Sequence, residues 1–317
     1  MTAYVVRRLV QAIPLLLAIT LMSFALMKAA PGGPLSIYLE NPDIRPEDIA
    51  AIRAQLGLDD PVPVQYLRWL GNLVSFDWGY SFVTHEPVID RIAQRLPNTL
   101  VLMGVSLVLT LLIAIPVGVL AAVRQYSWFD YTATAGAFFG ISMPVFWFGL
   151  LLILTFAVQL RWLPTSGMAT IGTEFDLIDR VRHIAMPAGV LALVSAAGYS
   201  RFIRTAMLEV IHQDYVRTAR AKGLRERLVI ARHAAKNAAL PFVTLLALDL
   251  PDLFTGAVVT ETIFAWPGMG RLYLDSVSRL DYSVLMAILT VSAALLLLSN
   301  LIADLLYAYL DPRIRYR

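Results

Sequence analysis

Six long stretches of this chain carry almost no charge, and that leaves it few ways to fold. They cover residues 9–27, 96–123, 131–160, 184–200, 237–260 and 282–303. A run of about 20 apolar residues is long enough to cross a bilayer. In lipid every backbone N–H and C=O must be satisfied within the segment or a closed sheet, and runs of this length do so as helices. The pattern predicts an all-α integral membrane protein with six transmembrane helices. Composition agrees: 58% of the residues are hydrophobic and 15% charged, against about 25% charged in soluble domains.

The chemistry open to the chain is narrow. It has no cysteine, so disulfides, thiolate metal sites and thiol nucleophiles are excluded. Its four histidines, His85, His183, His212 and His233, show no paired ligand spacing. No Gly-x-x-x-x-Gly-Lys-Ser/Thr loop is present to cradle phosphates, and no metalloprotease or nucleophile-elbow motif occurs. A non-catalytic chain is expected.

Arg7 and Arg8 precede the first apolar run, as they would in a signal peptide. The run is long for that, and Lys28-Ala-Ala-Pro-Gly-Gly33 is a poor cleavage site, so residues 1–30 are read as an N-terminus and a first span. Residues 31–95 follow as a polar segment with nine acids, five arginines and no lysine. Short helices are expected over 47–58 and 64–73. Tyr66, Trp69, Trp78 and Tyr80 suit a membrane–water interface, giving a mostly helical cap on the outer face between the first and second spans. Residues 96–310 hold the remaining spans and a basic loop, 201–236, and residues 311–317 form a short tail.

That loop carries nine Lys/Arg against three Asp/Glu. Cytoplasmic loops are enriched in Lys and Arg. Six spans put both termini on the side of this loop, so both are expected in the cytoplasm.

Within the loop, residues 214–223 read as a two-turn helix. Asp214 is a suitable N-cap, and Gly223 a suitable left-handed terminator. Val216, Ala219 and Gly223 form a small apolar stripe, flanked by Arg217, Arg220 and Lys222. Such a helix could dock in a groove of another protein, or be an ordinary basic loop.

The pattern Tyr215-Val-Arg-Thr-Ala-Arg-Ala-Lys-Gly223, followed by Arg232-His-Ala-Ala-Lys-Asn-Ala-Ala-Leu-Pro241, resembles the cytoplasmic loop of ABC-importer permeases. Leu56-Gly-Leu58, Gln65-Tyr-Leu-Arg-Trp-Leu70, Trp78-Gly-Tyr-Ser81, Glu261-Thr-Ile-Phe-Ala-Trp-Pro-Gly268 and Asp311-Pro-Arg-Ile-Arg315 extend the likeness over the whole chain. They are similar to the first permease of the dipeptide, oligopeptide and nickel importers. Departures from the general loop pattern exist. Arg217 stands at its glutamate, Thr218 at its first alanine, and Leu240-Pro241 falls five residues late.

The resemblance implies a type I ABC importer transmembrane domain in the cytoplasmic (inner) membrane. It would form half of a translocation pathway for di- or oligopeptides, with nickel or glutathione as alternatives. The implied partners are a second homologous permease, two ABC ATPase subunits and an extracytoplasmic solute-binding protein. ATP and Mg would sit on the ATPases, and this chain would hold no cofactor or metal. Membrane lipid is the remaining partner, and no nucleic acid is expected. Coupling to the ATPases would run through Tyr215, Val216, Arg217, Ala219, Lys222, Gly223 and Leu224. On this view Ala219 and Gly223 are small so that the helix seats in an ATPase cleft.

Asp249 and Asp252 lie three apart within the fifth apolar run, on either side of Pro251. Intramembrane carboxylates usually face a cavity or a partner. They are candidates for a translocation path that meets an ammonium group, or for a structural pair. Glu261, beside the Trp266–Gly270 turn, is a third candidate: an outer gate or docking contact, or a solvated acid. A self-sufficient channel or secondary transporter is the reading from another class. It would call for internal repeats and more intramembrane charge.

Overall fold

The computed structural model describes residues 2–29, 33–35, 45–55, 57–172, 174–249 and 258–310. Their regular structure is helical, apart from one isolated bridge between Tyr80 and Pro87. In order the helices are α1 (Thr2–Ala29), α2 (Pro46–Gln55), α3 (Val62–Val74), α4 (Val88–Val123) and α5 (Trp128–Ser142). Next come α6 (Val145–Leu152), α7 (Leu177–Ile211), α8 (Asp214–Ala221), α9 (Lys236–Asp249), α10 (Val258–Ile263), α11 (Met269–Ser278) and α12 (Tyr282–Leu310). Wider π-helical turns extend α6 over Ile153–Gln159 and lead into α9 over Val229–Ala235. The helices expected over 47–58 and 64–73 are α2 and α3.

Four helices are long and apolar enough to cross a membrane: Val6–Ala29, Val88–Val123, Leu177–Ile211 and Tyr282–Leu305. The third apolar run is not a straight span. It breaks between α5 and α6 with a bend of 103°. Pro144 disfavours helical backbone at the residue before it, and Met143 is extended at φ −81°, ψ 126°. Pro144 then caps α6. The fifth run is described only as α9 and α10, because residues 250–257 lie outside the described part. Among the described residues, then, four single helices and one bent pair are long and apolar enough to cross a membrane.

The centre of the bundle is the α4–α7 pair. Its interface is built of small residues, with Ala114, Ala122, Ala196 and Ala206 buried around Met207 and Phe242. Small side chains let membrane helices approach closely, where packing rather than water expulsion holds them together. The limit is reached at Gly118: a Cβ there would lie 2.7 Å from the Ser200 carbonyl oxygen and 2.8 Å from Ile203 Cβ.

Arg201, exposed, and Arg204, half-buried, extend α7 beyond its apolar run. Arg204 grips Asp130 of α5 with two hydrogen bonds, Nε to Oδ1 at 2.6 Å and Nη2 to Oδ2 at 2.8 Å. The Tyr126 amide also donates to Asp130, at 2.9 Å. Arg201 lies over the Phe138 ring, 4.2 Å from its centroid. The α5 helix is thus fastened to α7 by charge at one end.

Packing fixes the two ends of the bundle. Gly118 meets Ser200 at one end, where Arg8 also pairs with Asp304 at 3.0 Å. At the other end Val88 and Ile92 pack with Met269, Leu272 and Val284. That second end carries α2 and α3. Tyr66 and Trp69 of α3 lie on Phe24 of α1, and the Tyr66 hydroxyl meets Thr20 Oγ1 at 3.0 Å. Buried Asp281 ties the 81–91 segment to the start of α12: it accepts from Ser81 Oγ and the Phe82 amide and lies 3.5 Å from Arg91.

Removing one member of a buried ion pair strands the other. Asp130→Ala is expected to cost about 3 kcal/mol of stability. It should lower the thermal unfolding midpoint of the detergent-purified protein, with Asp130→Asn falling in between.

Candidate functional site

The 214–223 helix forms as α8, with its caps arranged differently from the expectation. Gln213 occupies the N-cap position and makes no side-chain cap bond. Asp214 is the first helical residue, and its side chain is fully exposed. It acts there through its charge at the positive end of the helix dipole. The other end is as expected. Gly223 has φ +76°, its amide donates to Arg220 O at 2.9 Å, and the Leu224 amide donates to Ala219 O at 3.4 Å. This paired closure uses a left-handed residue that favours glycine. A Cβ at Gly223 would meet nothing within 4 Å, so backbone conformation, not crowding inside the chain, selects glycine here.

The apolar stripe does not face outward. Val216 and Ala219 are buried against Val229 and Val210 of the same chain. Their small size lets α8 lie flat on the π-helical turns before α9. The surface left for a partner is the opposite one: Tyr215, Arg217, Thr218, Lys222 and Leu224 are exposed, with Tyr215 at 43% and Leu224 at 37%. The expectation that Val216 and Ala219 enter a partner's groove is corrected on this point.

Arg220, first read only as part of the basic surface, acts as a brace. Its guanidinium contacts both oxygens of Glu226, with Nη2 to Oε1 at 2.8 Å, and its Nη1 reaches Ile211 O at 3.5 Å. One side chain links the end of α7, α8 and the turn leading to α9. The guanidinium beside it holds the Glu226 carboxyl below its ordinary range. An i to i+6 pair across a glycine turn has no periodic signature, so the sequence did not disclose it.

Of the intramembrane carboxylates, Asp252 lies outside the described residues. Asp249 is half-buried and accepts a hydrogen bond from the Tyr199 hydroxyl of α7. Both border a cavity of about 300 Å³ between α4, α7 and α9, whose wall includes Ser106, Thr110 and Ser195. Polar groups from three helices thus converge on one hollow within the membrane-spanning part. Tyr199 and the two hydroxyls of α4 joined the site only through helix packing.

Glu261 is neither a gate at the surface nor a solvated acid. It is completely buried. Thr99 Oγ1 donates to its Oε1 at 2.7 Å, and the Arg271 amide to its Oε2 at 3.0 Å. Thr99 in turn accepts from the Met269 amide at 2.8 Å. The turn folds over this carboxylate so tightly that a Cβ on Gly268 would lie 2.4 Å from it. Glu261 pins the turn to α4, and its alignment with Asp249 and Asp252 as a path residue is corrected.

Two family models match the chain. Residues 114–316 match the binding-protein-dependent transport system inner membrane component, and residues 1–103 match the N-terminal region of the same kind of membrane component. This chain belongs to that permease family. Among its relatives, the oligopeptide transport system permease protein AppB of Bacillus subtilis is 50% identical over 317 residues, covering 100% of both chains. The dipeptide transport system permease protein DppB of Escherichia coli K12 is 39% identical over 338 aligned positions, again covering 100% of both. The inward-facing MetNI methionine ABC transporter contains a chain of similar fold, with a TM-score of 0.58 at 18% identity, covering 71% of this chain and 99% of that one. The protein is therefore a multi-pass membrane component of a transporter, not its enzyme.

Glu261→Ala would leave Thr99 and the Arg271 amide without their buried acceptor, a loss of about 2 kcal/mol. The expected readout is a lower unfolding midpoint and faster protease cleavage within 264–271. Glu261→Gln, which keeps an acceptor oxygen, should lose less.

Proposed function

We propose that this chain is one of two permease subunits in an ATP-driven peptide importer, forming half of the pathway for di- and oligopeptides. The observation that carries the coupling role is α8 itself. It is a two-turn helix closed by Gly223 at its C-terminal end, seated on its own chain through Val216 and Ala219, and braced to its neighbours by Arg220. Such a prong can transmit displacement because it does not bend independently of α7 and α9. Its exposed Tyr215 and Leu224, ringed by Arg217 and Lys222, would enter a cleft on an ABC ATPase subunit. The ATPases would supply the nucleotide site with ATP and Mg. A second permease would complete the pore, and a solute-binding protein would deliver peptide at the opposite end. The relatives named for oligopeptide and dipeptide transport support peptide over nickel or glutathione.

In this reading the fifth span runs through 237–260, giving six, with both termini and the basic 201–236 loop in the cytoplasm. The positive charge of that loop supports the orientation. The cavity bordered by Asp249 and Tyr199 would be this subunit's share of the path. A carboxylate there can balance the ammonium of a passing peptide while the tyrosine hydroxyl orients it.

Gly223→Leu is expected to leave a membrane-inserted protein in a complex that neither stimulates ATP hydrolysis nor transports. A side chain at φ +76° reopens the end of α8. ATPase assays with binding protein and peptide, in proteoliposomes, check this; normal uptake by the variant would remove the coupling role. For the path, Asp249→Asn is expected to slow cationic peptides more than neutral ones, on the order of tenfold, the size of one charge-assisted bond. Competitive uptake of lysyl and alanyl dipeptides measures the ratio.

A further inference from the structure

A second hollow lies far from the transport cavity. It measures about 260 Å³ and opens between the last turn of α1, the α3 helix, the loop after it and the first turns of α12. This is the end of the bundle away from α8, since Val88 packs with Val284 there while Gly118 meets Ser200 at the other. Its apolar wall includes Phe24, Met27 and Met286. Trp69 and Trp78 border it, and tryptophan concentrates where hydrocarbon meets water.

Three charged side chains line the hollow, and among the described residues one of them, Arg68, has an ion-pair partner. Arg68 is held by Asp60 at 2.7 Å. Lys28 and Asp77 form no ion pair with any other described residue. Lys28 is half-buried, with its ammonium 5.9 Å from the centre of the Phe24 ring. A cation placed on apolar wall without a carboxylate gains from any anion that reaches it. Among the described residues, then, the lining offers one cation and one anion without an ion-pair partner, beside aromatic surface. The helix that leads out of the hollow, α1, presents Leu21, Met22 and Leu26 as bare apolar surface.

We propose that this hollow seats the headgroup of a zwitterionic phospholipid of the phosphatidylethanolamine type. The Lys28 ammonium binds the lipid phosphate, the Asp77 carboxylate takes the lipid's primary ammonium, and the acyl chains descend along α1. A peptide also carries both charges, but the bare apolar flank of α1 matches acyl chains and gives a small zwitterion no purchase. The lipid would fasten α3 and α12 to α1, which otherwise meets the cap mainly through Phe24 and Thr20.

The test is native mass spectrometry of the assembled transporter, equilibrated with equal mole fractions of phosphatidylethanolamine, phosphatidylglycerol and phosphatidylcholine. The expected result is one retained lipid per copy of this chain. Phosphatidylethanolamine should be favoured on the order of tenfold, the size of one charge-assisted hydrogen bond. Lys28→Gln should lower retention of all three lipids, and Lys28→Arg should restore it, which separates charge from folding. Asp77→Asn should erase the preference for phosphatidylethanolamine while leaving phosphatidylglycerol bound. Equal retention by Lys28→Gln and the unaltered protein overturns the proposal. Displacement of the lipid by millimolar inorganic phosphate or by a dipeptide overturns it too, in favour of a free-anion or peptide site. So does unchanged lipid retention in Lys28→Gln together with lost affinity for the binding protein, which would make the surface a protein contact.

Discussion

Close approach of α4 and α7 is the constraint from which the rest of the molecule follows. Apolar side chains gain nothing from leaving lipid for one another, so two membrane helices hold together through contact area, hydrogen bonds and charge. Alanines at 114, 122, 196 and 206 and the glycine at 118 supply the contact. The Asp130–Arg204 pair adds the charge and carries α5 with it. Once this pair is in place, α7 projects α8 from one end, and α4 receives the Glu261-pinned turn at the other.

The same pair sets the shape of both candidate sites. Ser106 and Thr110 on α4 and Tyr199 on α7 face one hollow because the helices are close enough to share it, and α9 closes it with Asp249. Small residues thus serve two ends: they permit tight packing near Gly118 and leave room a few turns away. At the basic end, α8 uses a similar device on a smaller scale. Val216 and Ala219 rest on Val229, which frees the opposite face for a partner.

Charged groups in this protein divide by what surrounds them. Asp130, Glu261 and Asp281 are buried and fully engaged, each joining elements distant in sequence. A carboxylate in an apolar interior is tolerated when several donors converge on it, and each of these three has its donors. They act as rivets. Asp249 differs because it borders open space, and Lys28 and Asp77 differ because no carboxylate or cation of the described chain meets them.

Much was legible before any coordinates. Apolar run length announced membrane helices, because hydrocarbon forces the backbone to satisfy itself locally. Gly223 announced the end of α8, because a left-handed residue favours glycine. The break at Pro144 was not among these: residues 131–160 were expected as one span, and the bend between α5 and α6 came only with the structure. What tertiary structure decided is which way each side chain faces. The 216/219 stripe was visible, yet its burial against Val229 was not, since a helix period names a face and not the neighbour that covers it. Glu261 was open to reading as a gate, a docking contact or a solvated acid because its donors come from residues 99 and 271, and Arg220 looked like surface because Glu226 lies past the glycine turn. Local physics is written in neighbouring residues; the partners of a buried charge are chosen by segments that meet only after the helices have packed.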